Sequence, residues 1–288
     1  MTYHVLNPDA LASICRLALA EDIGAGDATT LAVVPENLET EATFVTRQPC
    51  VCAGLPVVKA IFRELDRKLD FHPLVQEGDF CKAGTKLVVV CGKAQPILTG
   101  ERCALNFMQR LSGIASVTRK YVIALGESKT VLLDTRKTTP GLRALEKYAV
   151  SVGGAQNHRF GLFDRIMIKD NHRAMAKTVG PASIQWAVNQ CRTKYPKLEI
   201  EVEADTLEDV KEAAEAGADY ILLDNMSNEM MVEAIKIIAG RSKTEASGNI
   251  TLERLPSLAN LGLDYISSGA LTHSAPSIDI GLDIALPN

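Results

Sequence analysis

Six short apolar runs in the second half of the chain, VLLDT, RIMIK, LEIEVE, YILLD, TEASG and YISSG, close on residues able to do chemistry. In order, the endings are Asp134-Thr135-Arg136, Lys169-Asp170, Glu203, Asp224, Ser247-Gly248 and Ser268-Gly269. Runs of this length, separated by helical stretches, read as buried parallel strands with both sheet faces covered. In a barrel of such strands the carboxyl ends share one face, so these endings can converge on one pocket. Charged groups also mark where buried strands emerge into water, a reading that explains one or two endings more readily than all of them.

The individual groups indicate what such a pocket would hold. Arg136 and Lys137 stand just past a strand end, ahead of the Pro140-Gly141 turn, where adjacent cations can fork around a carboxylate. His158 and Arg159 follow Gly153-Gly154, and Lys169 ends RIMIK. A histidine in that setting serves equally as a packed residue or as a site residue, whereas His172 and His273 read as structural. Glu203 and Asp224 end successive runs, and one or two carboxylates beside substrate phosphates are a usual Mg2+ arrangement. Glu199 and Glu201 lie on the same run, so terminal position alone selects Glu203. Ser247-Gly248-Asn249 and Ser268-Gly269-Ala270 follow the last two runs, where barrels bind phosphate through backbone N–H groups. Arg102 is expected in the first turn of a helix starting at Glu101. The macrodipole disfavours a cation there by about 0.3–1 kcal/mol, which fits a side chain aimed at an anion and equally fits surface exposure. Arg143, Glu146 and Lys147 read as a solvated or interface helical face with local ion pairs. Together these groups suit a polyanion and a phosphosugar with Mg2+. No Ser-His-Asp or Cys-His arrangement can be read at the strand ends, which disfavours a covalent hydrolase.

The elements that must carry these groups are legible in the composition and periodicity. With 288 residues, 47% of them hydrophobic and 23% charged, the chain can build a full core in one large domain or two modest ones. Asn7-Pro8 supplies an N-cap and a first-turn proline for a helix carrying Leu11, Ile14, Leu17 and Ala18 on one face, ended by Gly24 and Gly26. From Glu41 to Leu98 the pattern is β-rich, interrupted by the helix VVKAIFREL. A second long helix is expected from Glu101 to about Leu125, with Leu105, Met108, Leu111 and Ala115 on one face. The longest apolar runs, Leu87–Cys91 and Tyr220–Leu223, fall far short of the roughly 18 residues a membrane span needs, so no membrane partner is expected. The opening MTYHVLNPDALASIC lacks a basic region followed by an apolar core, which points to the cytoplasm. Seven cysteines without a C-x-x-C pair read as buried reduced thiols. A formal charge of −4 argues against nucleic acid as a partner.

DTRKTTPGLRALEKYAV, GGAQNHRFGLFDRIMIKDNH, EVEADTLEDVKEAAEAGADYILLDN, EASGNI and ISSGALTHSAPSIDI resemble the signature stretches of the quinolinate phosphoribosyltransferase family. EDIGAGDATT and RCALNFMQRLSGIAS look like the same family, so the likeness covers nearly the whole chain. The resemblance implies an α/β protein with an N-terminal α/β sandwich domain over residues 1–115, joined by a C-terminal tail at about 276–288, and an incomplete, open α/β barrel of TIM-like parallel strands over 116–275. It implies transfer of the phosphoribosyl group of phosphoribosyl pyrophosphate (PRPP) to quinolinate with decarboxylation, yielding nicotinate mononucleotide, pyrophosphate and carbon dioxide. Mg2+ accompanies PRPP, and no organic cofactor is implied. The dicarboxylate contacts match Arg136, Lys137, Arg159 and Lys169, with Thr138 beside them and His158 lining the site. The PRPP and Mg2+ contacts match Glu203, Asp224 and the turns Ser247-Gly248-Asn249 and Ser268-Gly269-Ala270. Lys137, Lys169, Glu203 and Asp224 would carry the catalysis. A homo-oligomer is implied, a homodimer in particular, in which Arg102 reaches the partner subunit's pocket. The chain departs from the family's usual pattern at SGN, where Asn249 stands in place of a second glycine, and at GGA, where Ala155 stands in place of a third. A different class of reading makes Lys169 the Schiff-base lysine of a barrel lyase or aldolase, and another makes the chain a noncatalytic phosphosugar sensor.

Overall fold

A computed structural model describes residues 6–181 and 183–285. The elements of the first part are α1 (Pro8–Ile23), α2 (Ala28–Val33), β1 (Glu39–Thr46), β2 (Cys50–Val51), α3 (Leu55–Leu65), β3 (Asp70–Pro73), β4 (Phe80–Cys81), β5 (Lys86–Lys93) and α4 (Ala94–Leu125). Strands and helices then alternate through β6 (Val131–Leu133), α5 (Arg143–Gly153), β7 (Ile166–Ile168), α6 (Asp170–Ala176), α7 (Ile184–Lys194), β8 (Ile200–Ala204), α8 (Leu207–Glu215), β9 (Tyr220–Asp224), α9 (Asn228–Ile238), β10 (Lys243–Ser247), α10 (Leu255–Leu258), β11 (Tyr265–Ser267), α11 (Ala270–His273) and β12 (Ile280–Ile284). Two compact units result, Met1–Arg119 with Thr138–Gly154 and Leu271–Asn288, and Lys120–Lys137 with Ala155–Ala270.

In the first unit Asn7 Oδ1 accepts from the backbone N–H of Asp9 and Ala10, and Pro8 opens α1 where no intrahelical bond is lost. Cys15 and Leu19 are the buried residues of that helix, whereas Leu17, expected on the packed face, is exposed. An antiparallel sheet of order β12-β1-β5-β3 receives α3, whose Val57, Val58, Ile61 and Phe62 are buried. Phe62 meets Phe44 of β1 edge-on at 6.1 Å between ring centroids. The tail closes the sheet: β12 runs antiparallel to β1, with Ala42 opposite Ile284. At Gly113 of α4 a Cβ would stand 2.0 Å from the Pro276 carbonyl oxygen, so only glycine lets helix and tail approach this closely.

Two expectations are corrected here. Residues 94–98 open α4 and do not extend the β-rich segment; Pro96 falls in the first turn, where its missing N–H costs no helical bond. Of the two readings of the α5 face, solvated or interface, the solvated one is corrected: Glu146 and Lys147 are at 0% and 1% exposure. Glu146 accepts from Arg110 Nε and Nη2 (3.2 and 2.9 Å) and from the Thr139 backbone N–H and hydroxyl (3.1 and 2.8 Å), which lets a carboxylate be buried charged.

The second unit is the open barrel. Its six strands, the six apolar runs of the sequence, pair in parallel in the order β6-β11-β10-β9-β8-β7, with β6 and β7 at opposite edges. Local sequence fixes where each helix begins. Ser183, Thr206 and Ser227 accept from the backbone N–H three residues on, capping α7, α8 and α9 just after the chain leaves the sheet or its connecting loop. Strand carboxyl ends and N-caps of α8 and α9 therefore lie together, and the polar endings gather at that end.

Candidate active site

A cavity of about 560 Å³ opens at the carboxyl ends of the second unit's strands. Ten of the residues singled out in the sequence line it: Arg136, Lys137, His158, Arg159, Lys169, Glu203, Asp224, Ser247, Gly248 and Asn249. Each follows or closes a strand except His158 and Arg159, which are held by the edge of β6. Gln156 bridges to Leu133, the Asp134 carboxylate accepts from the His158 backbone N–H (2.8 Å) and from Asn157 Nδ2 (2.9 Å), and Asp134 is itself fully buried. The loop carrying Arg159 is thus anchored at several points.

On the cationic side Arg159 donates from Nη1 to the Arg165 carbonyl at 3.0 Å. Burial, and then the neighbouring Arg136 guanidinium, lower its pKa from the ordinary arginine value. It keeps its charge, since guanidinium does not deprotonate in proteins. Two half-buried guanidiniums that repel one another make a site whose energy falls when an anion arrives.

Beneath them lies a group that sequence reasoning passed over. His158 Nε2 is 3.1 Å from Glu201 Oε2 and 3.5 Å from Glu245 Oε1, and both glutamates are 0% exposed. These ligand-type atoms lie within 4.8 Å of one another, a spacing that could suggest a metal. The histidine argues otherwise: its Nδ1 accepts the Arg159 backbone N–H at 2.7 Å, so Nε2 carries the hydrogen and offers no lone pair. Arg165 Nη1, 3.7 Å from Glu201, supplies a cation already. With two buried carboxylates beside one guanidinium, the pair does best by retaining a proton. Burial, then the Glu201 charge, push Glu245 up to about 7.

A raised carboxylate pKa has a definite sign in stability. Between pH 4.5, the ordinary value for glutamate, and about 7, the folded chain holds a proton that the unfolded chain has released. The stabilisation is therefore complete below that window and lost as pH rises through the folded value. Glu245→Gln, which stays uncharged, should gain on the wild type between pH 5 and 8 by on the order of 3 kcal/mol in unfolding free energy. Denaturant melts at both pH values measure this, and parallel pH dependences for the two proteins would show that Glu245 does not hold the proton.

On the acidic side Lys169 Nζ is ion-paired with Glu203 Oε2, and Asn225 Nδ2 donates to Asp224 Oδ2 at 2.8 Å. The ion pair works against the lyase reading, because a Schiff-base lysine must present a neutral amine, usually in a desolvated pocket, and the Lys169 side chain is 41% exposed. His172 is structural as read: its Nδ1 accepts the Lys169 backbone N–H at 3.0 Å and caps α6.

Other candidates lie elsewhere. Arg102 is exposed in the first unit and does not line this cavity. Because α4 begins at Ala94, Arg102 sits in its third turn, so the expected macrodipole penalty does not apply. Thr138 belongs to the first unit, where its hydroxyl accepts from Arg143 Nε at 3.0 Å. Ser268 is buried and bonded within the fold, its N–H to the Leu133 carbonyl and its hydroxyl to the Ile250 carbonyl; with Gly269 and Ala270 it is absent from the lining. The lining also includes Thr135, named in the sequence only as part of a strand ending, and Asn225, Glu245 and Ser267, which the sequence reading left out. Glu245 was recoverable, since it stands two residues before Ser247 on the same strand face.

Comparison with known proteins agrees with this architecture. The model of the quinolinate phosphoribosyl transferase N-terminal domain matches residues 27–112, and that of the C-terminal domain matches residues 114–283. A probable nicotinate-nucleotide pyrophosphorylase [carboxylating] of Bacillus subtilis is 44% identical over 269 residues, covering 93% of this chain and 91% of the relative. The chloroplastic nicotinate-nucleotide pyrophosphorylase [carboxylating] of Arabidopsis thaliana is 41% identical over 290 residues, covering 95% and 82%. The crystal structure of NadC from Streptococcus pyogenes superposes with a TM-score of 0.92 at 42% identity, covering 99% of both chains. Nothing in these relatives supports the lyase alternative. With both domain models matched in order and relatives more than 40% identical over most of its length, the chain belongs to the quinolinate phosphoribosyltransferase family.

Proposed function

We propose that the chain transfers the phosphoribosyl group of PRPP to quinolinate, releasing pyrophosphate and carbon dioxide and yielding nicotinate mononucleotide. The carrying observation is one cavity that brings Arg136, Arg159 and Lys169 together with Glu203, Asp224 and the Ser247-Gly248-Asn249 turn. Forked guanidinium contacts suit the two adjacent carboxylates of a planar diacid, with Lys137 and Lys169 as further counter-charges. The ring nitrogen attacks the anomeric carbon as its bond to pyrophosphate breaks. Carbon dioxide then leaves C2, its electron pair is stabilised by the adjacent quaternary nitrogen, and a proton from solvent takes the vacated position. The substrate thus supplies its own electron sink, no organic cofactor is needed, and the protein contributes positioning and preorganised charge.

The donor set fits Mg2+. Glu203 and Asp224 provide hard oxygens, and with Oε2 taken by Lys169 and Oδ2 by Asn225, each retains a second oxygen. When bound there with PRPP, the ion would neutralise charge on the departing pyrophosphate.

Purified protein with Mg2+ and PRPP should release pyrophosphate and carbon dioxide with quinolinate and give no product with nicotinate. Binding of PRPP without pyrophosphate release would mark a sensor and overturn the reading. The reading extends to a homodimer in which the exposed Arg102 serves the partner's cavity. Mixing the separately inactive Arg102→Ala and Lys169→Ala proteins should restore activity, because one of the two hybrid sites is then intact; a mixture that stays inactive would reject it. A cytoplasmic location fits seven cysteines that are all free thiols, and cell fractionation checks it.

A further inference from the structure

The ends of β9 and β10 are joined by a side-chain relay that none of the foregoing chemistry uses. Asn225 follows Asp224 in left-handed backbone (φ +53°), and its N–H donates to the Ser247 carbonyl at 3.0 Å. Its Nδ2 donates to Asp224 Oδ2 at 2.8 Å. A carboxylate only accepts, so the amide orientation is fixed by chemistry and Oδ1 must face the other way. There it accepts from Asn249 Nδ2 at 3.2 Å, and Asn249 is also left-handed (φ +50°). Between the two asparagines sits Gly248 (φ +84°), where a Cβ would stand 2.2 Å from Asn225 Oδ1. Glycine there is what allows the amide to cross the turn. Arg254 ties the same two loops from another direction, donating to the Gly248 carbonyl at 3.3 Å and the Met226 carbonyl at 2.7 Å.

From this juxtaposition we infer that Asn225 and Asn249 are positioning residues for the PRPP half of the site. Asn249 holds the Asn225 amide, and the amide holds the Asp224 carboxylate in fixed relation to the turn at Gly248. The Asn249 side chain is spent on the relay, leaving backbone N–H groups of the turn to address phosphate. The relay bonds run among Asp224, Asn225, Ser247 and Asn249, and none of them is made by Arg136, Arg159 or Lys169, so the effect is expected on the PRPP half. The inference rests on the phosphoribosyl transfer reading above and says which residues couple its acid to its phosphate turn.

The test is binding of Mg2+–PRPP by titration calorimetry together with steady-state KM values, for wild type, Asn249→Gly, Asn225→Ala and the double variant. Glycine accepts the left-handed backbone without strain, so Asn249→Gly removes the relay without threatening the fold. Weakening of Mg2+–PRPP binding by about 3- to 10-fold is expected, with quinolinate KM within about twofold; one relay hydrogen bond is worth that much. In the Asn225→Ala background the same change should have no further effect, because the group it acts through is gone. Wild-type binding of Mg2+–PRPP with an unaltered Asn249→Gly value would overturn the relay, as would full additivity in the double variant. Wild type that binds no PRPP at all would instead overturn the transferase reading.

Discussion

Arg136→Lys is expected to lose roughly 10- to 150-fold in kcat/KM for quinolinate although the positive charge is kept. The lysine ammonium is a point donor and cannot span two carboxylate oxygens as a guanidinium does, so at least one charge-assisted hydrogen bond is lost, worth about 1.5–3 kcal/mol. At about 1.4 kcal/mol per decade that gives the quoted range. Arg136 is half-buried, acts electrostatically on Arg159 and lines the same cavity, so an anion bound there would be attracted by both. The loss should fall on quinolinate and spare the KM for PRPP, whose contacts are proposed at Asp224 and the turn after β10. Steady-state kinetics with each substrate varied in turn decide it. Near-normal turnover and unchanged quinolinate KM would show that the forked contact does not exist.

How far the sequence alone reaches can be judged from particular residues. Strand-terminal groups were legible because a parallel strand ends where its apolar run ends, which is why Lys169, Glu203, Asp224 and Ser247 could be placed before any fold was known. Glu201 was not, and Glu245 could be found only as a residue on the Ser247 face of its strand, not as a buried acid with a partner. Each stands inside a strand, and a buried carboxylate is intelligible only once its partner is seen, here a histidine more than 40 residues from either glutamate. Asn225 was hidden for another reason: an asparagine after a strand reads as a turn former, and its link to Asn249 depends on β9 and β10 being neighbours. Helical periodicity left α5 open between a solvated and an interface face, and its polar residues turned out to be interior. Charge patterning cannot tell a solvated ion pair from a buried one, because both satisfy the same spacing.

That burial bears on stability. Glu146→Ala should destabilise the first unit by about 3–5 kcal/mol, the range for breaking a buried ion pair from one side. The carboxylate is 0% exposed and accepts from Arg110 and Thr139, while Arg110 also donates to the Ala275 and Thr272 carbonyls (2.7 and 2.5 Å). One side chain therefore helps hold α4, the turn before α5 and the segment leading into the tail. Removing it leaves the Arg110 guanidinium, only 25% exposed, without its counter-charge. At about 2–4 °C per kcal/mol for a chain of this class, the midpoint of thermal unfolding should fall by roughly 6–20 °C. The double variant Glu146→Leu with Arg110→Met separates the causes. If the damage comes from stranding a buried charge, removing both charges should recover most of the loss, since apolar groups of similar volume can replace a buried pair with little net cost. If the damage comes instead from losing the hydrogen bonds that seat the tail, the double variant will be as unstable as Glu146→Ala, and a single variant within about 1 kcal/mol of wild type would dismiss both accounts.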